Sequence, residues 1–202
     1  MSIQLTHNRE GPFEYAVVDN LFTPEELDAL SGEIKYFIDN DLLLPPDITY
    51  ASVDAAGAPL KSGRGLFLDP YFKEDRNKSA ILNVVSKVFM PELITALQQH
   101  SVYFTHMKNT NRCTSLLNVY GNGDEYKAHY DGTPLSIISF VYGDEFAGGD
   151  LLFPEFNVKI KSERNRTVIF PGCVLHAVKP VIADAGKYRA TVTQFLNYKE
   201  HA

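Results

Sequence analysis

From about residue 102 onward, apolar runs too short for helices follow one another, and a turn signal stands after most of them. The runs fall at 102–108, 114–120, 135–142, 150–153, 157–160, 167–170, 174–178 and 189–198. Between them stand Asn109 to Asn111, Gly121-Asn122-Gly123, Gly143-Asp144, Gly148-Gly149, Pro171-Gly172 and Ala185-Gly186, residue types that tolerate the backbone geometry of a reversal. Closely spaced short strands of this kind exclude a helical bundle or a parallel βαβ array for this half. They predict an antiparallel sandwich or barrel.

The first half reads differently. Residues 15–18 form a short apolar strand ending at Asp19-Asn20. Thr23, Pro24 and Glu26 then supply an N-cap, a proline at the first helical position and the third-position acid of a capping box. Leu27, Leu30, Ile34, Phe37 and Ile38 recur at helical spacing behind them. A second helix is expected over 78–99, with Ile81, Val84, Val85, Val88 and Leu93 on its apolar positions and a kink or break at Pro91. Between the helices, residues 43–76 are rich in Pro and Gly and read as a long irregular connection with one short strand at most. Connections of that length are usually functional or disordered, and this one is expected to be a mobile lid. Arg64, set between Gly63 and Gly65, is the candidate to reach inward to a substrate; a solvated surface arginine is the plain alternative. Helices first and strands after give an α+β class, with the helices on one side of the sheets.

Composition narrows the partners. A chain of 202 residues with 45% hydrophobic residues is long enough for one self-sufficient core, so a single domain over 1–202 is expected. Two cysteines are too few for a disulfide framework. The first ten residues lack an apolar run and no stretch is long enough to span a bilayer, so no membrane association and a cytoplasmic location are expected. The net charge of −6 argues against nucleic acid, whose binding usually leaves a basic footprint. The one dense basic run, 159–166, reads as a solvated hairpin.

Four groups of residues carry chemistry. His129 and Asp131, two apart on a strand, would share a face. His176 stands on an apolar strand after a Pro-Gly turn, either as a satisfied core residue or facing a cavity. Two histidines and a carboxylate can make the facial set that holds non-haem Fe(II) with three positions open. Arg189 and Thr191 share a face one strand later, where a guanidinium with a hydroxyl beside it can clamp a carboxylate; Lys187 is the rival cation. Asn118 and Tyr120 lie on one face before the triad, and Tyr126 is expected to pack beside the site at substrate distance. Each of these also has an ordinary reading as a core, edge or surface residue.

The order Y-x-x-G-x-x-Y-x-x-H-x-D, G-G-D, F-P-G-x-x-L-H-x-V-x-P-V and G-x-x-R-x-T resembles the 2-oxoglutarate- and Fe(II)-dependent oxygenase superfamily, and within it the prolyl-4-hydroxylase-like branch. The resemblance covers about 116–198, and residues 15–30 resemble the strand-then-helix opening of that branch. It implies a double-stranded β-helix, or jelly roll, over 101–202 around the iron, with 1–100 as helical support and lid. It implies His129, Asp131 and His176 as Fe(II) ligands and Arg189, with Thr191, Asn118 and Tyr120, as the 2-oxoglutarate contacts. It implies O2 as co-reactant and ascorbate as a stimulating reductant. Val141 stands where many members carry a tyrosine that reaches the cosubstrate, with Tyr142 adjacent. The implied activity is C–H hydroxylation of a prolyl or other residue in a peptide or protein, or of a free amino acid or other small molecule, releasing succinate and CO2. An AlkB-like nucleic-acid demethylase is the rival within the superfamily. A non-catalytic jelly-roll or cupin-like binding module is the rival outside it.

Overall fold

The computed structural model describes residues 4–7, 13–143 and 145–198. Its strands are β1 (Gln4–His7), β2 (Ala16–Asp19), β3 (Arg64–Phe67), β4 (Arg112–Tyr120), β5 (Tyr126–His129), β6 (Leu135–Tyr142), β7 (Phe146–Gly148), β8 (Leu151–Phe153), β9 (Val158–Ile160), β10 (Arg166–Phe170), β11 (His176–Val178), β12 (Val181–Ala183) and β13 (Arg189–Asn197). Its helices are α1 (Pro24–Asp39), α2 (Leu68–Tyr71), α3 (Ala80–Val85), α4 (Pro91–His100) and α5 (His106–Asn109). A long antiparallel sheet runs β1-β2-β10-β6-β13-β4-β3 and a short one β5-β11-β8-β9, with β12-β7 as a separate ribbon. This is a mixed α+β jelly roll, with the helices banked against the long sheet.

Strand alternation sorts the long sheet into two faces. Leu117 and Val119 of β4, Ile137 and Val141 of β6, and Val192 and Leu196 of β13 join the helices in one core. Ile138 and Phe140 of β6 join Leu151, Phe153, Val168 and Phe170 in a second core between the sheets. The polar residues Asn118, Thr191 and Thr193 fall on that second face and line a cavity. Val141 therefore points away from the cavity, and Phe140 stands on the cavity face in its place.

The N-terminal elements follow their local signals. Thr23 Oγ1 accepts from the Glu26 amide at 3.3 Å and the Thr23 amide donates to Glu26 Oε2 at 2.8 Å, closing the capping box. Leu27, Leu30, Ile34 and Phe37 of α1 are buried. The helix expected over 78–99 is divided into α3, a 3-10 turn at Ser86–Phe89, and α4, with a 43° bend between the two halves. Pro91 has no N–H to continue the first helix and instead opens the second at its N1 position. Among the described residues no single helix is long and apolar enough to cross a membrane.

Two expectations are corrected. Residues 102–108 are not a strand but a 3-10 turn at Val102–Thr105 running into α5. Ser101 caps that turn through the Tyr103 amide, and the buried residues are Phe104 and Met107, three apart as a helix requires. Residues 43–76 hold the one short strand expected, β3, but are less irregular than expected, with α2 following it. The second half of the segment is built into the walls: β3 pairs with β4 from Arg64↔Val119 to Phe67↔Leu116, and Lys61 bridges to Tyr126 at the edge of β5. The Ser62 amide donates to Glu125 O at 3.0 Å and the Lys127 amide to Leu60 O at 2.9 Å. The glycines there serve close approach rather than mobility. A Cβ on Gly63 would lie 2.7 Å from the Tyr120 ring, and one on Gly65 would lie 2.8 Å from Leu117 O.

Replacing Thr23 by Ala removes the cap but no core atom. Urea unfolding should show a loss of about 1 kcal/mol with an unchanged m-value; an unaltered midpoint would mean the cap contributes nothing.

Candidate metal centre

The short sheet makes the site by register. β5 and β11 are antiparallel, and His129 lies directly opposite His176. Their ring centroids are 4.3 Å apart. Asp131 comes two residues after His129, where its amide donates to Gly172 O at 2.9 Å and ties the chain to the Pro171-Gly172 turn. Its Oδ1 is 3.6 Å from His129 Nε2 and its Oδ2 3.5 Å from His176 Nε2. One ligand atom from each residue falls within 4.8 Å of the others, close enough to share one ion.

The supporting bonds aim these atoms inward. His129 Nδ1 bonds Lys127 O at 2.8 Å and His176 Nδ1 bonds Val174 O at 2.9 Å. A carbonyl only accepts, so both Nδ1 atoms carry protons, and in its neutral form each ring presents an Nε2 lone pair to the cluster. Ser136 Oγ donates to Asp131 Oδ2 at 2.5 Å, and Thr133 Oγ1 lies 3.1 Å from Ser136 Oγ. Tyr126 stacks flat on His129, centroids 3.5 Å apart at 12°, while its hydroxyl accepts from the Ser52 amide at 2.8 Å. Burial, helped by the neighbouring His176, pushes His129 down to about 4. Burial disfavours charge on Asp131 and His176 as well, but their mutual attraction prevails, holding the carboxyl below and the imidazole above its ordinary range.

The triad opens onto a cavity of about 390 Å³ between the sheets. Arg189 lies in its wall and is the largest fully buried side chain, 1% exposed. Its Nε donates to Ser162 Oγ at 3.0 Å, and its Nη1 has no hydrogen-bond partner among the described residues. The guanidinium carbon sits 5.1 Å from the Tyr120 ring and 4.8 Å from the Phe140 ring. Burial pushes Arg189 down to about 10, still charged at neutral pH. Gly149, at φ +66°, makes room for it, because a Cβ there would lie 2.7 Å from Arg189 Cδ. Register explains the neighbours: Arg189 pairs with Tyr120 and Thr191 with Asn118 across β13 and β4.

The sequence candidates divide accordingly. His129, Asp131, His176, Arg189, Thr191, Asn118, Tyr120 and Tyr126 all line the one cavity. Lys187 does not; it is exposed and paired with Glu145 at 2.6 Å. Arg64 does not reach inward. It lies half-exposed on the outer side, bonded to Asp41 at 2.6 Å and to Leu43 O. The reason is strand alternation: Arg64 and Leu66 of β3 share the helix-side face with their partners Val119 and Leu117, and it is Phe67 that lines the cavity. Lys61 was not evident from the sequence. It is buried, donates to Asn118 Oδ1 at 2.6 Å and lines the cavity. Its signal, a lysine in a short apolar stretch three residues before Arg64, is indistinguishable from a surface residue until the β-bridge to Tyr126 is known.

The donor set suits a divalent ion of intermediate softness: two neutral imidazoles, one carboxylate, and open space on the cavity side. The unpartnered Nη1 suits a ligand carboxylate, because a buried guanidinium left without an anion is costly. Fe(II) and 2-oxoglutarate match both requirements.

Comparison with known proteins agrees. Residues 115–197 match the family model of the 2OG-Fe(II) oxygenase superfamily. Among solved structures, the chain is similar to a Pseudomonas putida prolyl-4-hydroxylase at 17% identity and a TM-score of 0.67, covering 92% of this chain and 94% of that one. It is also similar to a Trichoplax adhaerens prolyl hydroxylase bound to a hypoxia-inducible-factor oxygen degradation domain peptide (14% identity, TM-score 0.63, 91% and 83% covered). A viral collagen prolyl hydroxylase from Paramecium Bursaria Chlorella virus-1, in its 2OG complex, matches at 19% identity and a TM-score of 0.54 over 92% and 96%. No curated protein sequence gives a significant match. At these identities the structural likeness speaks for the fold alone. The sequence match spans the strands that carry the triad, the buried arginine and its cross-strand partners, and on that ground residues 115–197 are similar to the 2OG-Fe(II) oxygenase superfamily.

Proposed function

We propose that this protein is an Fe(II)- and 2-oxoglutarate-dependent dioxygenase that hydroxylates a C–H bond of an amino acid, prolyl or other, either within a peptide or free. The observation that carries this reading is Arg189, a buried guanidinium with an unused donor, in the same cavity as a two-histidine, one-carboxylate cluster.

In this reading His129, Asp131 and His176 hold Fe(II), and Arg189 with the Thr191 hydroxyl holds the far carboxylate of 2-oxoglutarate. Bound together, the ion and the cosubstrate supply a two-electron oxidation that places one atom of O2 in succinate and the other in the product, with CO2 released. The chain contributes geometry. The carbonyls of Lys127 and Val174 keep the two Nε2 atoms aimed inward, and Ser136 fixes the carboxylate. Tyr120 lines the cavity beside Arg189, and its burial holds the phenol protonated. The rings of Tyr120 and Phe140 flank the guanidinium and keep water from it. Ascorbate would serve only as an external reductant in the assay. The first test is succinate formation by the purified protein with Fe(II), 2-oxoglutarate and ascorbate. Absence of Fe(II)-dependent succinate would sink the reading.

Three substitutions probe the roles. Asp131→Ala removes the only anionic ligand; Mn(II) binding measured by calorimetry should vanish while circular dichroism keeps its folded signature. Ser136→Ala leaves the ligands in place but frees the carboxylate, and should weaken Mn(II) binding roughly 10- to 100-fold. Arg189→Lys loses the two-pronged geometry and should raise the 2-oxoglutarate requirement with little change in metal affinity. If Lys187→Ala did this instead, the cation would be misassigned.

A further inference from the structure

The cavity holds one more cation than metal and cosubstrate use. Lys61 sits at the seam between the sheets, because its backbone bridges to Tyr126 on the short sheet while β3, three residues on, joins the long one. Its side chain is buried, the residue 4% exposed. Nζ donates to the neutral Asn118 amide oxygen at 2.6 Å and lies 5.8 Å from the Tyr120 ring centroid. Among the described residues no carboxylate lies within 4.0 Å of it. Burial pushes Lys61 down to about 8, with Asp124 opposing only weakly, so it remains largely charged at neutral pH. A buried ammonium without an anion is costly, and a site that keeps one is prepared for a ligand that supplies the anion.

Charge balance says which ligand. The divalent ion and Arg189 bring three positive charges; Asp131 and the two carboxylates of 2-oxoglutarate bring three negative ones. Lys61 is left over. A residue in the interior of a peptide would offer it only neutral amides, whereas a free amino acid offers a carboxylate. Resting on the oxygenase reading above, we infer that Lys61 anchors the carboxylate of the substrate itself, and that this substrate is a free amino acid. Asn118 then positions Lys61, since it accepts from Nζ while its amide nitrogen donates to Thr193 Oγ1 at 3.1 Å.

The test offers the common free L-amino acids, each beside its C-terminal amide, to the protein with Fe(II), 2-oxoglutarate and ascorbate. Succinate above the substrate-free level and a mass gain of one oxygen atom are read. At least one free acid should be oxidised and its amide should not. For that acid Lys61→Met should raise KM roughly 30-fold or more, Lys61→Arg should restore part of the loss, and the 2-oxoglutarate KM should move far less. Calorimetry on the Mn(II)–2-oxoglutarate form should show the acid binding and the amide failing, without turnover. The inference is overturned if amide and acid react alike, if no free acid is oxidised, or if only capped peptides are. It is also overturned if Lys61→Met raises the 2-oxoglutarate requirement as Arg189→Lys does, which would assign Lys61 to the cosubstrate. Substrate-free, Fe(II)-dependent succinate formation keeps the two readings apart: its presence leaves the oxygenase standing when the Lys61 inference fails.

Discussion

The pairing of β5 with β11 decides where chemistry can happen. Because the two strands are antiparallel and in a register that sets His129 against His176, two imidazoles distant in sequence become neighbours with no help from a loop. The third member of the cluster follows from the same event. Asp131 leaves β5 at the point where its amide can reach Gly172 O, in the turn that feeds β11. A Cβ on Gly172 would lie 2.3 Å from Thr133 Oγ1, so the turn, the carboxylate and the Thr133–Ser136 pair behind it are packed as one unit. A one-residue slip would send the opposed histidines to opposite faces of the sheet.

The long sheet provides the complementary half by the same geometry. Arg189 and Tyr120 are cross-strand partners, as are Thr191 and Asn118. Alternation then turns their neighbours, Val119, Ala190 and Val192, into the helical core. The same residues that bury the sheet against α1 and α3 therefore force polar side chains onto the other face, where they would be a liability without a ligand. This makes the unused donor of Arg189 and the uncompensated charge of Lys61 evidence about function rather than packing flaws. Buried charge is retained at a cost, and here the cost falls at one cavity.

What the sequence made legible follows from which signals are local. The capping box at Thr23, the run of β6 and the His129-Asp131 spacing are short-range patterns, and each appears where the spacing places it. Residues 102–108 misled because a run holding Val102, Phe104 and Met107 satisfies strand composition, while the period that buries Phe104 with Met107 is helical. Arg64 misled because Gly63 and Gly65 suggested conformational freedom. In the structure they permit close contact with β4, a property of a partner strand far along the chain. Lys61 was invisible for the same reason. Its depth depends on a bridge to Tyr126 that no window of the sequence contains.

That bridge also alters what the segment before it can do. With 60–62 held to β5 and 64–67 held to β4, the freedom to open rests with residues 45–59, whose Thr49 to Ser52 stretch borders the cavity mouth. The Ser52 amide bonds the Tyr126 hydroxyl, and the Tyr126 ring lies flat on His129. A displacement of the rim must therefore either break that hydrogen bond or carry the ring that covers a metal ligand. Lys61 stands just behind this rim, in the backbone bridge beside the same tyrosine. The residue that would recognise the substrate, the loop bordering the mouth and the ring stacked on His129 are thus joined by one backbone bridge, one amide-to-hydroxyl bond and one stack.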